Sequence, residues 1–175
     1  MEPIDRPDFI AHWSDIENPD NRRYGGDDEL MSVGAPFGEH FGLGRLGIHH
    51  ERLPPGRRTS FPHAESAEEE FVFVIEGAPD VWLDGRLYRL RPGEAVGFPA
   101  GTGIAHTFMN NTDEEVRLLV VGEKPKAENR IVYPLNPERK PLRDDWWEDA
   151  PQRPMGDHDG LPDKLRARKA GRGTA

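Results

Sequence analysis

The stretch Pro55-Gly56-Arg57-Arg58-Thr59-Ser60-Phe61-Pro62-His63-Ala64-Glu65-Ser66-Ala67-Glu68-Glu69-Glu70-Phe71-Val72-Phe73-Val74-Ile75-Glu76-Gly77 decides how this chain folds. In a strand, residues i and i+2 point to the same face. His63 and Glu65 therefore aim side by side into one space, and Glu70 opens the next strand after room for a turn. The β-prone run Phe71 to Ile75 follows and Gly77 closes it. Further on, Phe98-Pro99-Ala100-Gly101-Thr102-Gly103-Ile104-Ala105-His106-Thr107-Phe108-Met109-Asn110 makes a matching half, with one histidine and then an asparagine.

The flanking sequence reads as short strands cut by turns. Leu43 to Leu53 alternates, with Leu46, Ile48 and His50 on one face and Gly47, His49 and Glu51 on the other, and Pro54-Pro55-Gly56 ends it. Only one of the adjacent His49 and His50 can face inward, and the apolar Leu46/Ile48 face selects His50. In Glu70–Glu76, Val72 and Val74 share the face of Glu70, while Phe71, Phe73 and Ile75 share the opposite one. A strand apolar on both faces is expected to be buried on both, between two sheets or at a subunit contact. Asp84-Gly85, between Asp80–Leu83 and Arg86–Leu90, predicts a type I′ hairpin. Glu94–Phe98, Ile104–Asn110 and Val116–Val121 complete the set, with Ile131-Val132-Tyr133 as one more edge strand. Short strands at this spacing indicate an all-β, closed or double-sheet architecture. Residues 1–36 read as an irregular N-terminal arm, 37–133 as the barrel and 134–175 as an irregular C-terminal tail. Ile10 and Trp13 are candidate anchors of the arm, and Trp146-Trp147 should dock on the barrel or on a partner subunit. The basic stretch Lys164–Lys169 reads as a solvated terminus.

The two halves resemble the paired motifs of the cupin superfamily. Glu70, six residues and Gly77 match the end of the first motif, and His63 and Glu65 occupy its His-x-His positions. In that first motif the opening Gly56 lies one residue early; Gly93, Pro99, Gly101, His106 and Asn110 follow the second, except that four residues separate Gly101 from His106. The resemblance implies a double-stranded β-helix, the jelly-roll barrel, across residues 43–123. It also implies a metal site, in which Glu65 stands where a second histidine is usual.

In such a barrel His63, Glu65, Glu70 and His106 can converge on one divalent cation, and their imidazole and carboxylate donors suit Fe, Mn, Zn or Ni. In one arrangement all four bind. In the other, His63, Glu70 and His106 bind and Glu65 stays free as an acid or base. A third reading is a degenerate barrel that has lost its metal. Asn110 is expected to fix a turn, and Asp157-His158-Asp159 sits in a loop whose adjacent residues do not converge on an ion.

Composition bounds the partners. The formal charge of −9, from 23 Lys+Arg against 32 Asp+Glu, argues against a nucleic-acid binder. With Cys 0 there is neither a disulfide nor a thiolate ligand. The N-terminal stretch has no apolar signal region and no run approaches membrane-spanning length, so a cytoplasmic protein without membrane or nucleic-acid partners is expected. The cupin resemblance covers dioxygenases, isomerases and lyases, as well as non-catalytic binding or sensor proteins. The expectation is a metal-dependent enzyme on a small organic molecule, with Glu65 catalytic, in a homodimer. A non-catalytic small-molecule-binding or sensor protein is the alternative.

Overall fold

The computed structural model describes residues 6–172. Its strands are β1 (Val33–Ala35), β2 (Leu46–Leu53), β3 (Ala64–Glu65), β4 (Glu70–Glu76), β5 (Asp80–Leu83), β6 (Arg86–Arg89), β7 (Ala95–Phe98), β8 (His106–Met109), β9 (Val116–Glu123) and β10 (Ile131–Val132). Two helices, α1 (Phe37–His40) and α2 (Asp163–Arg172), lie outside them. An antiparallel sheet in the order β1-β2-β9-β4-β7 faces a second in the order β6-β5-β8, and β3 pairs with β10. This is the all-β double-sheet barrel that the sequence predicts. The hairpin matches too: Asp84 and Gly85 both take positive φ, 43° and 84°, as a type I′ turn requires.

The core fills the space between the sheets. Leu53, Val72, Val74, Val116 and Leu118 from the larger sheet meet Val81 and Phe108 from the smaller one, all buried. Each such side chain contributes about 1.5–3 kcal/mol by leaving water. The opposite face of β4 differs from the sequence expectation. Phe71 and Ile75 are each 44 % exposed, so this chain alone buries only the Val72/Val74 face.

Both ends of the chain are bound to the barrel. In the arm, Trp13 stacks on His50 at 4.6 Å, and Glu17 takes two hydrogen bonds from Arg52, of 2.5 and 2.9 Å. Ile10 stays 46 % exposed. Arg58 is buried between the two ends. It donates to both oxygens of Glu29 at 2.7 and 2.8 Å and to the Gly160 carbonyl at 2.8 Å. In the tail, Trp147 is buried and joins the cluster of Trp82, Ala105 and Met109, while the Trp82 indole donates to the His158 carbonyl at 2.9 Å. Gly156 lies directly against the hairpin turn, its amide bonded to the Asp84 carbonyl at 2.7 Å.

The expectation of a solvated terminus after residue 163 is corrected. Asp163 to Arg172 form a helix whose Leu165 is buried, with Lys164 paired to Asp113 at 2.6 Å and Arg166 to Asp159 at 2.6 Å. Its charges read as solvation in the sequence; in the structure Lys164 and Arg166 pair with the loops beneath, while Ala167, Arg168 and Lys169 stay exposed. No helix among the described residues is long and apolar enough to cross a membrane.

Candidate functional site

The site forms where β3, β4 and β8 meet. His63 and His106 are directly opposed on antiparallel chain segments, and each backbone amide donates to the other's carbonyl, at 3.1 and 2.9 Å. Side chains of such a pair share a face, and the two rings lie 4.9 Å apart. Phe98 stacks flat on His106 at 3.5 Å and fixes its plane. Glu70, at the first position of β4, pairs in register with Phe98 on one side and Gly122 on the other. This places its carboxylate 3.4 Å from His106 Nε2.

Local hydrogen bonds set the tautomers. A carbonyl only accepts, so the contact of His63 Nδ1 with the Phe61 carbonyl at 2.9 Å puts the proton on Nδ1. The contact of His106 Nδ1 with the Ile104 carbonyl at 3.2 Å does the same there. Both rings then turn a lone pair on Nε2 away from the backbone, the state in which imidazole binds a cation. His106 Nε2 is buried and makes no hydrogen bond, with the Glu70 carboxylate 3.4 Å away. Burial, reinforced by His106, pushes His63 down to about 4, so its ring is neutral near pH 7. For Glu70, burial acts upward, but the adjacent His106 outweighs it and the carboxyl falls below its ordinary value.

Glu65 lies on β3 with Glu70, Glu68 and His106 around a small cavity of about 10 Å³, the space of a single water or ion. Its carboxyl is pushed up to about 7, first by burial and then by the neighbouring Glu68 and Glu70. The structure thus sets His63 beside His106 and His106 beside Glu70, and places Glu65 on the small cavity that Glu70 and His106 line and His63 does not. Among the described residues no group of three or more His, Cys, Asp or Glu is arranged to hold a metal ion. In donor chemistry the set fits one nonetheless: two imidazoles whose Nδ1 atoms face backbone carbonyls, one Nε2 without a hydrogen bond, and a carboxylate 3.4 Å from it.

The choice of His50 as the inward histidine is corrected. His49 and Glu51 line a cavity of about 600 Å³ that also reaches Glu70, while His50 faces outward beneath Trp13. Leu53, buried in the core on the face of His49 and Glu51, was the signal available in the sequence. Arg22 of the arm, also on this cavity, carries no sequence signal at all. Asn110 does fix a turn. Fully buried, it donates to the Leu53 and Glu114 carbonyls at 2.8 and 2.7 Å and accepts from Thr112. His158 and Asp159 both engage Arg166 of α2.

Comparison with known proteins adds the family. A family model described as a cupin domain matches residues 49–122. Polyketide synthase CurC of Streptomyces cyaneus is 33% identical over 125 residues, which cover 71% of this chain and 76% of that protein. Among solved structures, a sugar phosphate isomerase from a cupin superfamily, from Silicibacter pomeroyi, is 33% identical with a TM-score of 0.56. That match covers 58% of this chain and 64% of the other, so the chain spans less than two thirds of it. The polyketide cyclase RemF of Streptomyces resistomycificus aligns over 78% of this chain and 94% of its own, with a TM-score of 0.57. At 23% identity that likeness speaks to the fold alone.

Proposed function

The chain belongs to the cupin superfamily, and from that premise we propose that it is a divalent-metal enzyme that moves a proton on a small organic molecule, at a carbon beside a carbonyl. His63, Glu70 and His106 would hold the cation, and Glu65 is the acid–base residue. The observation that carries this reading is the buried His106 Nε2, without a hydrogen-bond partner and 3.4 Å from Glu70. A buried unpaired imidazole nitrogen is costly unless something binds it.

The cation, when bound, supplies polarisation of the substrate carbonyl oxygen. The chain's own residues do the rest. Phe98 and the Phe61 and Ile104 carbonyls hold the two rings in place. A carboxyl near 7 is matched to taking a proton at neutral pH and giving it back. Glu65 accepts the proton from the hydroxyl-bearing carbon and returns it to the neighbouring carbonyl carbon, while the hydroxyl proton of the first carbon passes to the former carbonyl oxygen, so no other reactant is consumed. This chemistry suits isomerisation, the activity that the printed name of the Silicibacter pomeroyi protein describes. The test has two readouts: elemental analysis of protein purified without chelator, and deuterium uptake from solvent at the carbons of dihydroxyacetone. One equivalent of Fe, Mn, Zn or Ni with exchange lost in Glu65→Gln is expected, and wild-type protein without either overturns the reading.

We further propose that two copies of the chain associate through the outer face of the larger sheet. Leu46, Phe71 and Ile75 are 42 %, 44 % and 44 % exposed there, and with Val121 and Pro99 the first two line a groove of about 380 Å³. A face of this composition is costly in water and self-complementary across a two-fold axis.

A further inference from the structure

The cavity beside Glu70 has no role in the reading above, and its composition selects a ligand. It has a volume of about 600 Å³, within the roughly 300–1,000 Å³ range of small-molecule sites. Asn18, Asn21, Arg22 and Ser32 of the arm form one wall, and His49 and Glu51 of β2 the other. The arm wall is fixed in place. Asn18 N donates to the Gly34 carbonyl at 2.9 Å, Met31 N to the Arg22 carbonyl at 3.0 Å, and Asp20 is gripped by Arg57 at 2.5 and 3.0 Å.

Charge and shape exclude two classes of ligand. Glu39, Glu51 and Glu70 set three carboxylates against the single guanidinium of Arg22, so a phosphate dianion is repelled. No Phe, Tyr or Trp lines the cavity, and the His49 imidazole is the one ring on its wall, so a flat aromatic ligand finds little to stack on. What remains is dense in hydrogen-bonding groups of both kinds. Carboxylates accept and guanidinium and amides donate, which is the set that binds neighbouring hydroxyls. Arg22 is available for this. Its contacts to Glu51 and Ser32 are long, 3.3 and 3.4 Å, both through Nη1, and its side chain is 51 % exposed. Glu51 by contrast is buried, and Ser32 Oγ donates to its second oxygen.

We propose that the cavity between the N-terminal arm and β2 binds a neutral polyhydroxylated molecule, a free sugar or polyol, with Arg22 and Glu51 as its anchoring residues. The proposal rests on the acid–base reading above only in making this molecule the substrate: its hydroxyls occupy the cavity and its carbonyl end reaches Glu70. Phosphorylated sugars are then the wrong class for this chain, despite the similarity to a sugar phosphate isomerase.

Calorimetric titration with D-glucose, D-fructose, glucose 6-phosphate and inorganic phosphate tests this, with and without chelator. The neutral sugars are expected to bind in both conditions and the phosphorylated one at least tenfold more weakly. Arg22→Ala and Asn21→Ala should each weaken glucose binding about tenfold with the melting temperature unchanged. Glu39→Gln should narrow the gap between glucose and its phosphate. Tighter binding of the phosphate, no binding of either sugar at tens of millimolar, or unaltered binding in Arg22→Ala and Asn21→Ala overturns the proposal. Because the chelated protein is titrated too, sugar binding without any metal uptake would defeat the cation and leave the cavity standing.

Discussion

His63 and His106 are held face to face by a closed pair of backbone hydrogen bonds, 3.1 and 2.9 Å, although they come from opposite halves of the sequence. The spacing of the two imidazoles is therefore set by sheet register and not by side-chain flexibility. His63→Ala and His106→Ala should each lower cation affinity by at least a hundredfold, while their circular dichroism stays that of the wild type. Glu65→Gln should keep the cation and lose exchange, and Glu65→His should keep it with altered selectivity. Titration with Mn(II) and Zn(II) checks all four, and full binding by His106→Ala would sink the assignment.

Glu65 also makes a prediction about pH. Its folded-state carboxyl is raised to about 7 from an ordinary 4.5, so the folded state binds the proton more tightly than the unfolded one. Stability is then greatest below pH 4.5, falls as pH climbs towards 7, and is level above. Glu65→Gln removes this penalty. In chelated protein the variant should match the wild type near pH 4 and melt several degrees higher at pH 8. A difference that does not change with pH would show that Glu65 ionises freely.

The buried pair Arg58–Glu29 should be worth most when half of it is removed. Glu29→Ala leaves a buried guanidinium without its carboxylate, for a loss of about 3–5 kcal/mol in urea unfolding. Arg58→Met with Glu29→Leu should lose much less than the two single changes added together. Additive losses would mean that the pair is not coupled.

Gly156 meets the hairpin turn too closely for any side chain: an added Cβ would lie 2.4 Å from the Gly85 carbonyl oxygen. Gly156→Ala is expected to cost about 1–3 kcal/mol and to loosen the strap over Trp82, seen as a red shift in tryptophan fluorescence. Unchanged unfolding and emission would contradict this.

The double substitution Phe71→Glu and Ile75→Glu places charge on the outer sheet face without touching the core side of β4. Light scattering should report a dimer for the wild type and a monomer for the variant. A wild-type monomer at high micromolar concentration would end the dimer proposal.

Much of this molecule was legible in its residues, and the failures are instructive. Turn chemistry located Asp84-Gly85, and alternation placed Val72 and Val74 inward with Glu70. The same rule failed on β2, where it selected the face of Leu46, Ile48 and His50. Alternation assumes that the inner face is the apolar one, and beside a binding cavity the inner face is polar. His49 and Glu51 look inward because they line that cavity, and His50 is covered from outside by Trp13. Arg22 was invisible for another reason. Its place is set by contacts between a strandless arm and a barrel wall, and no local pattern encodes such contacts.

Arg58 also says something about how the chain is made. Its two partners, Glu29 and the Gly160 carbonyl, lie on opposite sides of it in the sequence. During synthesis Glu29 is available before Arg58 has emerged, but the carbonyl arrives only after the last barrel strand is complete. The guanidinium therefore has these partners together only once residue 160 is in place, so the arm and the tail are tied to each other through one buried side chain.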